Sequence, residues 1–424
     1  MLNYRLTKLD NGLQVITAPL ENTRAVTILI LFGVGSRFES LEQSGLSHFL
    51  EHMFFKGTKA RPTTLDISRE LDNVGASYNA FTGEELTGYF VRVPSEHFGL
   101  GLEILADILF DSKFEASEIE KEKGVIVEEI NMINDDPRSR VELIVKELVY
   151  GDHPLGRKIT GEKESVKSFK QSDFIGYKEK YYQANNAVVA VAGGSDSVDW
   201  LEKIQEKFGG LKSLPKLDPA KVIEKQNQPL VKISFKETDQ AHFILGFRSI
   251  PRLSEKRPVL KIITGLMGQM MSSRLFIEVR EKLGLCYYVY ADMADFQDTG
   301  FWAISAGVDI NRINEAIAVI LKEVKKIINE PVTDEELTRA KENLKGHLFL
   351  GLEESMSVAN FLAEQQLFWG KIEDPDEVAK KIDAVTKEQI QALSKEKFTK
   401  ENLNLAIVGP FKDSKDFQKI IDQF

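Results

Sequence analysis

The sequence predicts an α+β protein of two homologous domains, each a mainly antiparallel sheet with helices packed on one face. Three observations lead there. The chain carries an internal repeat: Asn185-Asn186-Ala187-Val188-Val189-Ala190-Val191-Ala192-Gly193 resembles Asn402-Leu403-Asn404-Leu405-Ala406-Ile407-Val408-Gly409. Each copy follows a charged helical segment, running into Lys180-Tyr181 in one case and Lys397-Phe398 in the other. Short apolar runs alternate with long charged amphipathic segments through both halves, the pattern of sheets backed by helices. The stretch from Pro215 to Pro229 is rich in Pro, Lys, Asp and Gln and reads as a linker. Domains are therefore expected at 1–212 and 231–424, joined by 213–230.

Taken in order, the segment Met1-Leu2-Asn3-Tyr4-Arg5 opens directly into a strand-like stretch, and Asn11-Gly12 marks a hairpin turn. Val26 to Phe32 and Leu245 to Phe247 read as buried strands. Leu46, Phe49, Leu50 and Met53 follow the i, i+3, i+4, i+7 pattern of a core-facing helix, with Ser44 as N-cap and Gly57 as stop. Glu115 to Asn134 reads as a long helix, with Ser117 near its start and Pro137 beyond its end. Ile313 to Ile328 reads as a charged amphipathic helix.

Composition excludes several classes. The apolar runs are too short to span a bilayer, and no signal or transit segment is recognisable, which favours a cytoplasmic protein away from membranes. Cys286 is the only cysteine, so no internal disulfide forms, and its apolar surroundings suit a core residue better than a nucleophile. A net charge of −10 disfavours nucleic-acid binding and favours basic ligands where that charge lines a cleft.

One string carries chemistry. The chain has six histidines, and two of them flank a glutamate in His48-Phe49-Leu50-Glu51-His52. On a helix, positions i and i+4 share a face, so both imidazoles can reach one metal ion. Glu51 is placed to work on a water at that metal. A catalytic zinc takes three protein ligands and keeps a fourth position open. No further His or Cys lies near the motif, which leaves a carboxylate from another helix. The Glu115–Asn134 segment offers Glu118, Glu120, Glu122, Glu128 and Glu129. Glu122 and Glu129 are seven apart and share a face, but spacing alone does not choose among the five.

The chain resembles the pitrilysin family, which includes insulin-degrading enzyme and the mitochondrial processing peptidases. That family carries H-x-x-E-H and a glutamate after 76 intervening residues, a position held here by Glu129. The resemblance implies a zinc metalloendopeptidase with one Zn2+ per chain, held by His48, His52 and Glu129. It makes Glu51 the general base and Glu122 a supporting residue beside the ligands. Asn79-Ala80-Phe81-Thr82, continuing to Glu85, Thr87 and Tyr89, resembles the family's N-A-x-T-x-x-E-x-T-x-Y strand. In relatives this strand pairs with the substrate backbone, which makes Asn79, Ala80 and Phe81 substrate-binding residues. Gly151-Asp152-His153-Pro154-Leu155-Gly156 resembles a further family block, with His153 structural.

In the second half, Ser272-Ser273-Arg274-Leu275-Phe276 followed by Arg280 and Tyr287 resembles the family's S-S-R-L-F, arginine and tyrosine. In relatives that pair contacts bound substrate near the scissile bond, where a guanidinium and a phenol can donate to a developing oxyanion. Tyr288, the next residue, points to the opposite face of a strand. No histidine stands where a second metal motif belongs, from Ile262 to Met271, so the second half is a degenerate repeat contributing substrate contacts. The resemblance also implies the processing peptidase-like fold and a pairing of two-domain units around an oligopeptide or unfolded segment. A homodimer is expected, with a heterodimer containing a paralogous subunit as the alternative. Two rival readings remain at this point: a non-catalytic or partner-dependent assembly subunit of the same fold, and a metal-dependent lyase of the S-ribosylhomocysteine type. The lyases are short single-domain chains with a catalytic cysteine, which this duplicated chain is not.

Overall fold

The computed structural model describes residues 2–21, 23–194 and 199–424; Met1 of the opening segment lies outside them. It contains two compact units, each with one sheet.

The first sheet is formed by β1 (Arg5–Lys8), β2 (Gln14–Pro19), β3 (Ala25–Phe32), β4 (Ser77–Thr82), β5 (Thr87–Pro94) and β6 (Ala187–Gly193). Their order is β1-β2-β6-β3-β5-β4, antiparallel except for the β2–β6 pair. Between β1 and β2, Gly12 takes φ +88° in the turn expected at Asn11-Gly12. The second sheet is formed by β7 (Leu230–Phe235), β8 (Gln240–Arg248), β9 (Cys286–Asp295), β10 (Gly300–Asp309) and β11 (Leu403–Gly409). Its order is β7-β11-β8-β10-β9, again with one parallel pair, β7–β11. Dropping β1, the two orders superimpose strand for strand. The repeated sequences are β6 and β11, which hold the same place in their sheets.

A layer of helices covers one face of each sheet. In the first unit it includes α1 (Leu46–Phe54), α2 (Thr64–Asp72), α3 (Phe98–Asp111) and part of α4 (Ala116–Asp135). Leu46, Phe49, Leu50 and Met53 are buried in this core with Val26, Ile28 and Ile30 of β3. In the second unit the Ile313–Asn329 helix buries Ile313, Ile317, Ile320, Val324 and Ile327 against Phe243, Leu245 and Ile304.

The opposite faces are also apolar, because β3 is buried almost without alternation and needs cover on both sides. Among the described residues one helix supplies it in each unit. Val358, Ala359, Leu362 and Ala363 of the Ser355–Trp369 helix pack on Leu29, Leu31, Val188 and Ala190. Val141, Ile144, Val145 and Val149 of α5 (Pro137–Tyr150) pack on Ile244, Ala406 and Val408. Each cover helix comes from the other half of the chain. The units therefore depart from the contiguous division at 1–212 and 231–424. One comprises Met1–Ile130, Arg157–Ala220 and Phe349–Pro375; the other Asn131–Gly156, Lys221–Leu348 and Asp376–Phe424. The segment between Pro215 and Gln226 has no regular secondary structure. No helix among the described residues is long and apolar enough to cross a membrane.

Candidate metal centre

Helix α1 carries both histidines, and its start is built from a distance. Ser44, the expected N-cap, does not cap it. The N-cap is Gly45, at φ +95°, with no side chain to offer. A Cβ on Gly45 would meet Thr160 O at 2.6 Å and Gly161 Cα at 2.8 Å, so the loop carrying Gly161 presses directly on the helix start. The buried carboxylate of Glu39 does the capping instead: Gly45 N–H donates to Oε2 at 2.8 Å and Ser47 N–H to Oε1 at 2.6 Å. Ser47 Oγ also bonds the Tyr177 hydroxyl at 2.6 Å. Gly57, the expected stop, takes φ +119° just past the helix end, whose last cap is Phe55.

Burial pushes the Glu39 carboxyl up to about 7 against the opposing pull of its two N–H donors. A carboxyl whose folded pKa lies above its ordinary 4.5 contributes stability that is full below about 4.5 and lost above about 7. The difference is on the order of 3 kcal/mol. The melting temperature of the wild type, relative to Glu39→Gln, is expected to fall between pH 5 and pH 8. An offset that stays constant across that range would contradict the assignment.

Helix α4 aims its inner stripe, Ile119, Glu122, Ile126 and Ile130, into the core, and Glu129 lies two turns after Glu122 on that side. The stripe brings one carboxylate to each histidine function. Glu129 Oε1 lies 3.6 Å from His48 Nε2, and its Oε2 lies 3.8 Å from His52 Nε2. One donor atom from each of the three residues falls within 4.8 Å of the others. A tetrahedral zinc at about 2 Å from its ligands spaces them roughly 3.3 Å apart, so this set fits such an ion with small side-chain adjustments. Of the glutamates left open by spacing, Glu129 is the one whose carboxylate meets both imidazole Nε2 atoms.

Glu122 is buried and turned to the other ring nitrogen. Its Oε1 accepts from His52 Nδ1 at 2.8 Å, and its Oε2 pairs with Lys56 Nζ at 2.6 Å. Burial disfavours its charge, but the His52 and Lys56 contacts outweigh it and hold the carboxyl below the ordinary range. The bond fixes the proton on His52 Nδ1 and leaves Nε2 as a lone-pair donor facing Glu129. The Glu129 carboxyl is likewise held below the ordinary range, by the nearness of His48 first and His52 after it. His48 Nδ1 is buried with no hydrogen-bond partner among the described residues. Glu122→Gln is expected to weaken zinc binding about tenfold to a hundredfold, read by competition with a chromophoric chelator. Unchanged affinity would show that the His52–Glu122 bond does not serve the metal.

Glu51 shares α1 with the two histidines. Its Oε2 accepts from Thr82 Oγ1 at 2.5 Å, which ties the carboxylate to the end of β4. Among the described residues β4 is an edge strand, paired with β5 alone. Asn79 is exposed with its Oδ1 on the N–H of Ala80, Ala80 is buried, and Phe81 lies over Gly88, where a Cβ would come within 2.2 Å of the ring.

In the second unit, Tyr287 is 57 % exposed. The β9–β10 register slips there: Gly307 pairs with Tyr288 and Val308 with Cys286, so Tyr287 is the extra residue of a bulge. Tyr288 faces the other way, bonding His242 at 3.0 Å beneath the Arg138 guanidinium. Arg280 is exposed and stacks on Phe276, and no carboxylate pairs with it among the described residues. Arg274 is structural, held by both oxygens of Glu336 at 2.7 and 3.0 Å. Burial pushes the Cys286 thiol up to about 11, against nucleophilic use. His153 accepts the N–H of Leu155 in its own loop.

A family profile described as "Insulinase (Peptidase family M16)" matches residues 14–163, and one described as "Peptidase M16 inactive domain" matches 168–344. The chain is 35% identical over 402 residues to the "Uncharacterized zinc protease YmxG" of Bacillus subtilis, covering 95% of this chain and 97% of that one. This chain belongs to peptidase family M16. A second M16 relative, "Uncharacterized zinc protease SCO5738" of Streptomyces coelicolor, is 33% identical over 96% of this chain and 90% of its own. A crystal structure described as a protease from Helicobacter pylori shares the fold, with a TM-score of 0.91 at 24% identity over 97% of this chain and 100% of that one. The M16 match spans both halves, and the half described as inactive is the one lacking the histidine motif.

Residue reasoning along the chain did not find Glu39, Lys56 or the Thr82 contact. Glu39 lies six residues before the N-cap it serves, outside the local spacing of a capping box. Lys56 lies one turn beyond His52 on α1, a weak signal in a chain with many lysines.

Proposed function

We propose that this chain is a zinc-dependent endopeptidase that hydrolyses oligopeptides or unfolded segments. The observation that carries the reading is the convergence of His48, His52 and Glu129 beside Glu51. A zinc ion held by those three residues would supply a Lewis acid for the scissile carbonyl and a water acidified towards about pH 7. Glu51 takes the proton from the attacking water and delivers it to the leaving amine, oriented by Thr82. Glu122 and Lys56 hold His52 in its ligating tautomer. The open edge of β4 at Asn79, Ala80 and Phe81 receives the peptide as an added strand, giving backbone affinity with loose sequence preference. Arg280 and Tyr287, both exposed, take the role of donors to the developing oxyanion that the family resemblance implies.

The net charge of −10 supports a preference for basic peptides through steering, and equal cleavage of acidic and basic peptides at low salt would remove that part. With one metal half per chain, a homodimer enclosing the substrate fits best, and a heterodimer with a paralogous subunit comes second; mass measurement in solution separates them. The cytoplasm is the proposed location, with no nucleic-acid or membrane partner. The test is digestion of a mixed peptide library, with and without a chelator, read by mass spectrometry. Cuts that vanish on chelation and return with zinc support the reading. A protein that binds zinc but cuts nothing needs a partner subunit. One that binds no metal is an assembly subunit, a reading favoured by the family description of its second half as inactive.

A further inference from the structure

The far end of the β4 edge carries a feature that the proposed chemistry does not use. A groove of about 820 Å³ opens there, lined by Arg24, Gly75, Ser77, Arg92, Ser95 and Glu96 among others. Arg92 lies on β5 directly opposite Ser77 of β4. It is half-buried, and its guanidinium has no hydrogen bond or ion pair among the described residues. Arg24 adds a second, exposed cation. Glu96, the carboxylate lining the groove, is 76% exposed and lies 3.5 Å from His97 Nε2. A half-buried arginine with no anion is a costly group that a carboxylate would relieve.

The register connects this groove to the cleavage site. Thr82, which touches Glu51, is five residues along β4 from Ser77, about 17 Å in an extended strand. Side chains alternate along β4, so Thr82 and Ser77 face opposite sides of the sheet, and Ser77 shares its face with Arg92. In a peptide added to the β4 edge, the residue beside Ser77 turns its side chain to that same face. Arg92 is then two strands away, roughly 10 Å between backbones. Ser77 is short and leaves the path open for an extended arginine and an acidic side chain to meet over it.

Resting on the peptidase reading, we infer that Arg92 forms a specificity subsite for a substrate carboxylate about five residues from the scissile bond. This is a local preference for one acidic position, separate from any steering by the net charge. The carboxylate can be an Asp or Glu side chain or the end of the peptide.

The test uses zinc-loaded full-length protein and quenched fluorescent peptides in which Glu, Gln or Lys is scanned through each position from three to seven residues on either side of the cut. Amidated peptides that run past the groove are compared with peptides ending there as free acids. At one position, kcat/KM for Glu is expected to exceed that for Lys about fivefold to tenfold. Arg92→Ala brings the ratio close to one, and Arg92→Glu inverts it. A preference confined to the free acids assigns the site to the peptide terminus. Absence of any acidic position, or a preference that survives Arg92→Ala, overturns the inference while leaving the peptidase reading intact. Binding of the same peptides to Glu51→Gln protein is the second readout: discrimination there without cleavage by the wild type sinks the peptidase reading and keeps the subsite.

Discussion

Glu51→Gln is expected to keep one zinc per chain and lose peptide cleavage by about three orders of magnitude or more. The amide preserves the size of the side chain and can still accept from Thr82 Oγ1, so α1 and the end of β4 stay in place. What disappears is the capacity to take a proton from water. The effect belongs in kcat, because Glu51 is not among the three converging ligand residues. Turnover within about tenfold of wild type, with zinc bound, would end the assignment of Glu51 as base.

The second large effect is expected at Glu129. Glu129→Ala removes the group that faces both imidazole Nε2 atoms, at 3.6 and 3.8 Å. Zinc affinity should fall by about a thousandfold or more, well beyond the loss expected when only a supporting partner is changed. Folding should survive, since the Glu129 side chain is partly exposed and contributes little to the core. Circular dichroism of the metal-free variant checks this, and equilibrium dialysis reads the metal. Wild-type affinity in this variant would require a different third ligand. Glu122 is then the candidate to examine, since it already contacts His52 from the other side.

Much of this was legible along the chain because local periodicity wrote it. The stripe of Leu46, Phe49, Leu50 and Met53 fixes which face of α1 is buried, and that leaves His48 and His52 on the side facing α4. The repeat of β6 and β11 announced two homologous sheets, while their shared strand order is read from the fold. The cover helices were not legible. Nothing local in α5 or the Ser355–Trp369 helix says that each packs on a sheet built mostly by the other half of the chain. The cap of α1 was hidden for a similar reason. Ser44 has the right chemistry and position, but the chain reaches the helix through Gly45 at a positive φ, and a carboxylate from outside the helix takes the N–H groups. Spacing within α4 left five glutamates open, the family resemblance named Glu129 and Glu122 among them, and the fold of α4 against α1 shows which carboxylate faces both Nε2 atoms and which holds Nδ1. Strand alternation anticipated that Tyr287 and Tyr288 diverge, while the bulge that exposes Tyr287 depends on its pairing with β10.

The most direct test of the central claim is titration of metal-free protein with zinc while peptide cleavage is followed. The predicted result is activity rising in proportion to added zinc and levelling at one equivalent per chain, with Glu51→Gln taking up the same equivalent in silence. Cleavage that is full before any zinc is added, or that ignores zinc throughout, would contradict it.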